Sequence, residues 1–216
     1  MSEMKPERVP ISIKPPDTAD EGVWRWSKLT DIARLESGHT PSRARPDWWG
    51  GDVSWLSLTE IRALDGQWVE ETRLKTNEAG IANSSARILP RVTVCLSRTA
   101  SVGFVAIMAR PMATSQDFAN WVCSECLAPE FLMYALIRSR GFLRSISSGA
   151  THKTIYMPTL KEFHLFHPPL TQQQKIVAQI KARLSEVERA RGAAEAQLRE
   201  LVLLPQKLLA HVFGNT

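Results

Sequence analysis

Residues 168–177 read Pro168-Pro169-Leu170-Thr171-Gln172-Gln173-Gln174-Lys175-Ile176-Val177. They stand where a mixed, Trp-rich segment stops and a long amphipathic helix begins. Pro168 and Pro169 lack N–H groups and favour an extended approach to a helix. Thr171 followed three residues later by Gln174 has the spacing of a capping box, which predicts a helix start at Thr171. The Pro-Pro pair then reads as a hinge.

From that start apolar residues recur in steps of three and four: Val177, Ile180, Leu184, Val187, then Arg191, Ala194, Leu198 and Leu201. This period keeps one seam on one face, as in a coiled coil. The seam covers 25 residues, roughly 37 Å at ~1.5 Å per residue. The helix is expected to run from about Thr171 to Phe213, with Gly214 as its stop and Pro205 as a kink or break. Leu203, Leu204, Leu208, Leu209, Val212 and Phe213 make its last segment apolar on more than one face. Such a segment needs a partner surface. Arg191 at a seam position must reach solvent or an acidic partner.

Working back toward the N-terminus, 216 residues suffice for one substantial core and an appendage. No apolar run approaches the ~20 residues of a membrane span, so no membrane association is expected. Residues 1–22 are polar and Pro-rich and show no signal-peptide core. They read as a flexible arm, and a cytoplasmic location follows by default. The net charge of +5 is unevenly spread: residues 1–85 hold 11 Lys/Arg against 14 Asp/Glu, residues 86–169 hold 9 against 4, and residues 170–216 hold 7 against 4. Basic charge therefore gathers in the second half of the head and on the helix, which suits phosphate binding.

The inventory of reactive groups is thin. Cys123 and Cys126 form one C-x-x-C with no second pair; with Cys95 they supply three of the four ligands of a tetrahedral zinc site. Buried free thiols are the expectation, and no metal site. His39, His152, His164, His167 and His211 are scattered without ligand spacing. Nucleotide-binding Gly-rich loops, hydrolase elbows and metalloprotease helices are all missing from the sequence. No catalytic constellation is present, and no cofactor is expected on this chain.

The head reads as short strands with few helices. Alternation predicts strands at Val53–Leu58, Ile88–Leu96, Gly103–Met108, Ala119–Cys123 and Leu160–Phe166, with a turn at Arg98–Ser101. Leu29–Leu35 is compatible with a helix or a strand. Pro129–Arg140 has Pro near its start, a shared apolar face and Gly141 after its end, the marks of a helix. The fold class is α+β: a globular head with a curved, mainly antiparallel sheet, followed by a long C-terminal coiled-coil helix.

Four polar, Gly-punctuated loops carry the candidate binding chemistry. The first offers His39, Thr40, Ser42, Arg43 and Arg45, followed by Trp48; the second Ser97, Arg98, Thr99 and Ser101; the third Thr114, Ser115 and Gln116; the fourth Thr151, His152, Lys153 and Thr154. Arg reads guanine edges, Gln reads adenine edges, and Ser, Thr and Lys position phosphates. Ordinary solvated turns have the same composition. Five of the seven tryptophans (Trp24, Trp26, Trp48, Trp49, Trp55) fall within 32 residues. Trp24, Trp26 and Trp55 read as core; Trp48 and Trp49, beside a basic loop, fit either core or base stacking.

In order and spacing the chain resembles a specificity (S) subunit of a Type I restriction–modification system, in half-length form. Trp26-x-x-Leu29-x-Asp31-Ile32 and Gly38-x-Thr40-Pro41-Ser42 resemble the opening of that family's target recognition domain. Trp49-Gly50-Gly51-Asp52-Val53-x-Trp55 resembles its W-G-G-x-(I/V)-x-W segment. Ile88-Leu89-Pro90 through Val94, then Gly103-x-Val105-Ala106, resemble its central strands, and Ala113-Thr114-Ser115-Gln116 its "ATNQ" run. Pro168-Pro169-Leu170-x-x-Gln173-x-x-Ile176-Val177 resembles the start of its spacer helix, with Gln172 where Glu is usual.

The resemblance implies a target recognition domain over 23–167 and a spacer helix over 168–216. It implies a non-catalytic subunit that reads double-stranded DNA and docks modification (methyltransferase) subunits, with restriction subunits as further partners. S-adenosylmethionine would then be held by the modification subunits, which methylate adenine N6, and ATP with Mg by the restriction subunits. One recognition domain and one spacer helix further imply pairing with a second half-subunit, a homodimer being expected. The seam Val177, Ile180, Leu184, Val187, Arg191, Ala194, Leu198 and Leu201 would form that interface. Two identical heads would read an interrupted palindrome. The competing expectation is a coiled-coil assembly adaptor whose head binds protein in place of DNA.

Overall fold

The computed structural model describes residues 8–13, 23–149 and 153–214. It divides into two compact units, residues 1–174 and 175–216. The first unit is α+β, as its sequence implies, with its strands distributed over three sheets in place of a single curved one.

The first sheet contains β1 (Val9–Ser12), β2 (Arg25–Lys28) and β11 (Phe163–His167) in the order β1-β11-β2. β1 runs parallel to β11 with Val9 opposite Phe163 and Ile11 opposite Leu165. Val9 and Ile11 are fully buried, so this part of the expected flexible arm is a core strand. A two-residue alternation inside a Pro- and charge-rich stretch is too short a signal to stand out. Pro10 is tolerated because β1 is an edge strand, where a missing N–H costs no ladder bond. The rest of the expected arm, residues 1–7 and 14–22, lies outside the described residues.

The second sheet follows the order β3-β10-β7-β8-β5. Its strands are β3 (Ala33–Ser37), β5 (Trp68–Val69), β7 (Val94–Ser97), β8 (Val105–Met108) and β10 (Phe118–Cys123). The ambiguous Leu29–Leu35 segment divides: α1 (Leu29–Ile32) comes first and β3 continues from it. The strand expected at Ile88–Leu96 is present only from Val94. Pro90 lacks a donor and Val92 adopts a positive φ of 73°, which delays the strand. β7 and β8 are buried throughout, and Phe118 and Trp121 of β10 are among the largest fully buried side chains.

The third sheet joins β6 (Lys75–Thr76), β4 (Trp49–Leu56) and β9 (Ala113–Thr114). α2 (Leu58–Ile61) and α3 (Glu78–Ala82) lie on either side of β6 in sequence. The helix expected at Pro129–Arg140 is α4 (Pro129–Arg138), with Pro at its first turn, and α5 (Arg140–Ser145) follows directly. The short α6 (Met157–Lys161) precedes β11. Trp24 and Trp26 pack against Phe166 at ring distances of 5.3 and 5.0 Å. Trp55 is only 2% exposed.

The long helix α7 spans Leu170–Phe213. Its first turn starts before Thr171: the Pro169 carbonyl accepts from the amides of Gln172 and Gln173. Thr171 is therefore inside the helix and is not its cap. Gln173 is fully buried. Its Oε1 accepts from the Ala128 amide at 2.9 Å, and its Nε2 donates to the carbonyls of Cys126 and Pro168 at 3.1 and 2.9 Å. One glutamine thus fastens the Pro-Pro entry and the turn before α4, where the sequence suggested a hinge. Pro205 lies inside the helix and does not end it. Along the seam Leu184, Val187, Leu198 and Leu201 are 52%, 64%, 62% and 63% exposed, whereas Val177 is buried.

Candidate functional site

The loop after β3 is anchored by Gly38. A Cβ there would sit 2.1 Å from Thr114 Oγ1 and 2.2 Å from the Ser115 carbonyl, so only glycine lets the two loops touch. The His39 amide then donates to the Thr114 carbonyl at 2.9 Å, and Thr40 Oγ1 donates to Gln116 Oε1 at 2.6 Å. Arg43 lies over Trp49 at 4.0 Å and near Trp55 at 5.0 Å. These two indoles meet edge to face at 5.1 Å and donate to the carbonyls of Ser42 and His39. Trp49 and Trp55 therefore buttress the loop and hold an exposed Arg43 in place by cation–π contact.

Arg45 is differently placed. It stacks on Trp48 at 4.8 Å, and its guanidinium binds Asp47 through two hydrogen bonds of 3.0 and 2.7 Å. These bonds hold the Asp47 carboxyl below its ordinary range. Arg45 must leave that pair to meet a ligand, whereas Arg43 has no ion pair among the described residues.

Arg98, in the second loop, ties that loop to the third and to the residue that follows the fourth. Its Nη2 donates to the Gln116 carbonyl at 2.7 Å and its Nη1 to the Ile155 carbonyl at 3.4 Å. Its own amide donates to the Asp117 carbonyl at 2.8 Å. Half-burial lowers the Arg98 pKa, the nearby Asp117 charge opposing that shift. Thr99 pairs with Thr154 across an antiparallel bridge, and the Ala100 amide donates to the Lys153 carbonyl at 2.9 Å. Ala100 has a φ of 56°, in the left-handed region that non-glycine residues rarely adopt. Four segments, reaching from His39 to Thr154, form one hydrogen-bonded network.

Not every expected contact residue faces outward. Ser97 is fully buried; its Oγ donates to the Ser101 carbonyl and accepts from the Phe104 amide. Thr114 is 1% exposed, its Oγ1 accepting from Asn120. Ser115 is 2% exposed and bonded to Asp117. These three brace the loops and do not present their hydroxyls. Arg43, Ser42, Gln116 and Lys153 are exposed, and His39, Thr40, Trp48, Thr99, Ser101 and Thr154 are half-buried at the rim. Thr151 and His152 lie outside the described residues.

Sequence reading passed over Asn83, Ser84 and Ser85, which follow α3. They border, with His39, Thr40 and Trp48, a polar cavity of about 660 Å³. The polar run after a short helix was the available signal. Tyr156, 53% exposed beside the fourth loop, was also passed over. Among the described residues no group of three His, Cys, Asp or Glu side chains could hold a metal ion. Cys95 is buried, with its thiol pushed up beyond the usual range by desolvation; Cys123 is pushed up to about 12, and Cys126 is exposed. The expectation of buried thiols thus fails for Cys126. No helix among the described residues is long and apolar enough to cross a membrane.

Comparison with known proteins gives a consistent result. Residues 22–194 match the family described as the Type I restriction modification DNA specificity domain. The MjaIX specificity subunit of a Type I restriction enzyme from Methanocaldococcus jannaschii is 31% identical over 156 residues, covering 71% of this chain and 36% of that protein. A chain from a type I R-M system, solved to explain complex assembly and conformational transition, superposes with a TM-score of 0.68 at 21% identity, over 87% of this chain and 46% of that one. The HsdS subunit from Thermoanaerobacter tengcongensis gives 0.66 at 20% identity, over 87% and 44%. These structural likenesses concern the fold. The chain spans about a third to a half of the length of these relatives.

Proposed function

The chain belongs to the Type I restriction–modification DNA specificity domain family, and from that premise we propose that it reads double-stranded DNA for a Type I restriction–modification complex. Its relatives are named specificity subunits, the recognition components of such complexes, and recognition without catalysis is the role assigned here. Adenine-N6 methylation with S-adenosylmethionine, and restriction with ATP and Mg, would belong to partner subunits.

The observation that carries this reading is the joining of four loops into one network from which Arg43, Gln116 and Lys153 project. Braced donors lose little conformational entropy when they meet a base edge. Arg and Gln suit guanine and adenine edges in the major groove, and Lys supplies phosphate contact. The tryptophans serve this surface as buttresses for Arg43 in place of stacking on bases.

The exposed seam on α7 supports pairing with a second helix, from another copy or from a different half-subunit, together with docking of modification subunits. A cytoplasmic site of action accords with partners that act on cellular DNA. Titrating the purified chain with duplex DNA at several salt concentrations tests the reading. A steep fall of affinity with salt is expected. Absence of duplex binding, with capture of a protein by the loop face, would favour an assembly adaptor.

A further inference from the structure

Beside the loop network, α2, α5 and the turn before β8 enclose a second basic feature. Arg62, Ser101, Phe104, Arg144, Ser147 and Lys153 line an open cavity of about 570 Å³ whose walls carry three cations, two hydroxyl groups and, among the described residues, no carboxylate. Three guanidinium groups converge on the Phe104 ring: Arg140 at 5.0 Å, Arg144 at 5.4 Å and Arg62 at 5.7 Å. Arg140 is neutralised by Asp65 at 2.6 Å. Among the described residues neither Arg62 nor Arg144 has a carboxylate partner, so two cations share the attraction of one ring face with no anionic counterpart. An anion entering the cavity would relieve the mutual repulsion of these two charges.

The cations are also aimed. Arg144 Nε donates to the Val102 carbonyl at 3.0 Å, which fixes the guanidinium while its terminal N–H groups make no bond among the described residues. Arg62 Nη2 donates to Ser101 Oγ at 3.2 Å. Lys153 gives its carbonyl to Ala100 and its exposed side chain to the cavity rim. An anion held here would therefore steady the same backbone pairing that joins two loops of the network.

We propose that this cavity, at the edge of the loop network, holds a phosphodiester of the bound duplex as a backbone clamp; the proposal rests on the DNA-recognition reading above. A phosphodiester matches the chemistry: a single negative charge with several acceptor oxygens, suited to a guanidinium fork and short hydroxyls. Such a contact sets the register of the protein on DNA and carries no sequence information itself. A free phosphate or a mononucleotide would offer the same oxygens, and the experiment separates the two sources.

Duplex binding by the full chain is measured across a salt series on several unrelated duplexes. R62Q/R144Q should weaken all of them by one common factor and lower the log–log salt slope by about 1 per cation removed. R62K/R144K should keep the slope, which a purely packing role for the two side chains would not require. Arg62→Gln alone, at an exposed position, carries the test if the double variant does not fold; its slope should fall by about 1. A folded R62Q/R144Q or R62Q with parental slopes, or a weakening confined to one preferred sequence, overturns the clamp. So does inorganic phosphate that raises the thermal midpoint of the parent but not of R62Q/R144Q while both keep equal DNA slopes. Parental slopes in those variants alongside weakened binding by Arg43→Ala would overturn the clamp and leave the recognition reading standing. A parent chain that binds no duplex overturns both.

Discussion

Arg98 Nη2 donates to the main-chain carbonyl of Gln116 at 2.7 Å across a chain separation of 18 residues. With its second bond, to Ile155, this side chain braces three of the four loops. Its Nε is buried with no hydrogen-bond partner among the described residues, a cost the brace offsets. Arg98→Ala is expected to destabilise the head by about 1–3 kcal/mol, the worth of charged hydrogen bonds and the carbonyls left behind. Urea unfolding measures this. A parental midpoint for Arg98→Ala, with DNA binding reduced, would make Arg98 a direct DNA contact and not a brace.

Gln173 offers a second structural test. Replacing it with Leu leaves the Ala128 amide and the Pro168 and Cys126 carbonyls without the partner they now have. A destabilisation of about 1–3 kcal/mol is expected for each buried group left unsatisfied. Gln173→Glu keeps the acceptor for Ala128 but sets a buried carboxylate against the Cys126 and Pro168 carbonyls, so near neutral pH it should be the least stable of the three. Equal stability of all three chains would show that the entry to α7 is held by other residues.

His167 links stability to pH. It is buried, with Nε2 bound to Ser27 Oγ at 2.9 Å and Nδ1 near the Pro168 carbonyl at 3.0 Å. Burial lowers its pKa, Arg25 adding to the shift and the Pro168 contact opposing it. The unfolded chain, with a His pKa of about 6.5, then binds the proton more readily than the folded one. Stability from this group is complete above about pH 6.5 and is lost as pH falls from there to the lower folded value. Thermal midpoints between about pH 5 and 8 should show this fall, and His167→Gln should flatten it. An unchanged pH profile in that variant would assign the dependence elsewhere.

The seam gives a prediction about assembly. Leu184→Asp and Leu198→Asp alter residues already 52% and 62% exposed, so the head should fold as before. Burying an unpaired carboxylate in a helix pair is strongly unfavourable. Sedimentation should therefore show lower mass, or co-purification with modification subunits should fail. Parental assembly in both variants would remove this face from the interface.

Paired copies also constrain the target. Two identical heads related by a two-fold axis would read the same half-site twice, and a seam of roughly 37 Å compares with a DNA turn of ~34–36 Å. Mapping methylated adenines on DNA modified by this chain with its methyltransferase should give an interrupted palindrome. Its half-site centres should lie on the order of one turn or more apart. An asymmetric two-part motif would identify a different half-subunit as the partner.

The boundaries of the long helix and five of the eleven strands among the described residues, β4, β7, β8, β10 and β11, were legible because period and alternation are local properties. β1 was not, since four residues among prolines gain their meaning only from pairing with β11. Of the kink or break expected at Pro205, the break does not occur, since the helix continues through it. At the site, polarity picked out loops that the fold joins but could not tell a bracing hydroxyl from an exposed one: Ser97, Thr114 and Ser115 look like Ser42 in sequence and are buried. Arg62 and Arg144 lie on separate helices or their ends, and only the fold brings them to Phe104.

The central claim is that the joined loops read DNA, and selection from a random duplex pool tests it most directly. The parent chain should enrich a motif of a few base pairs. Arg43→Ala or Gln116→Ala should relax it at particular positions, at roughly 1–3 kcal/mol for each base-edge interaction removed. An enriched motif that is identical in both variants, or no enrichment by a folded parent chain, would contradict the account.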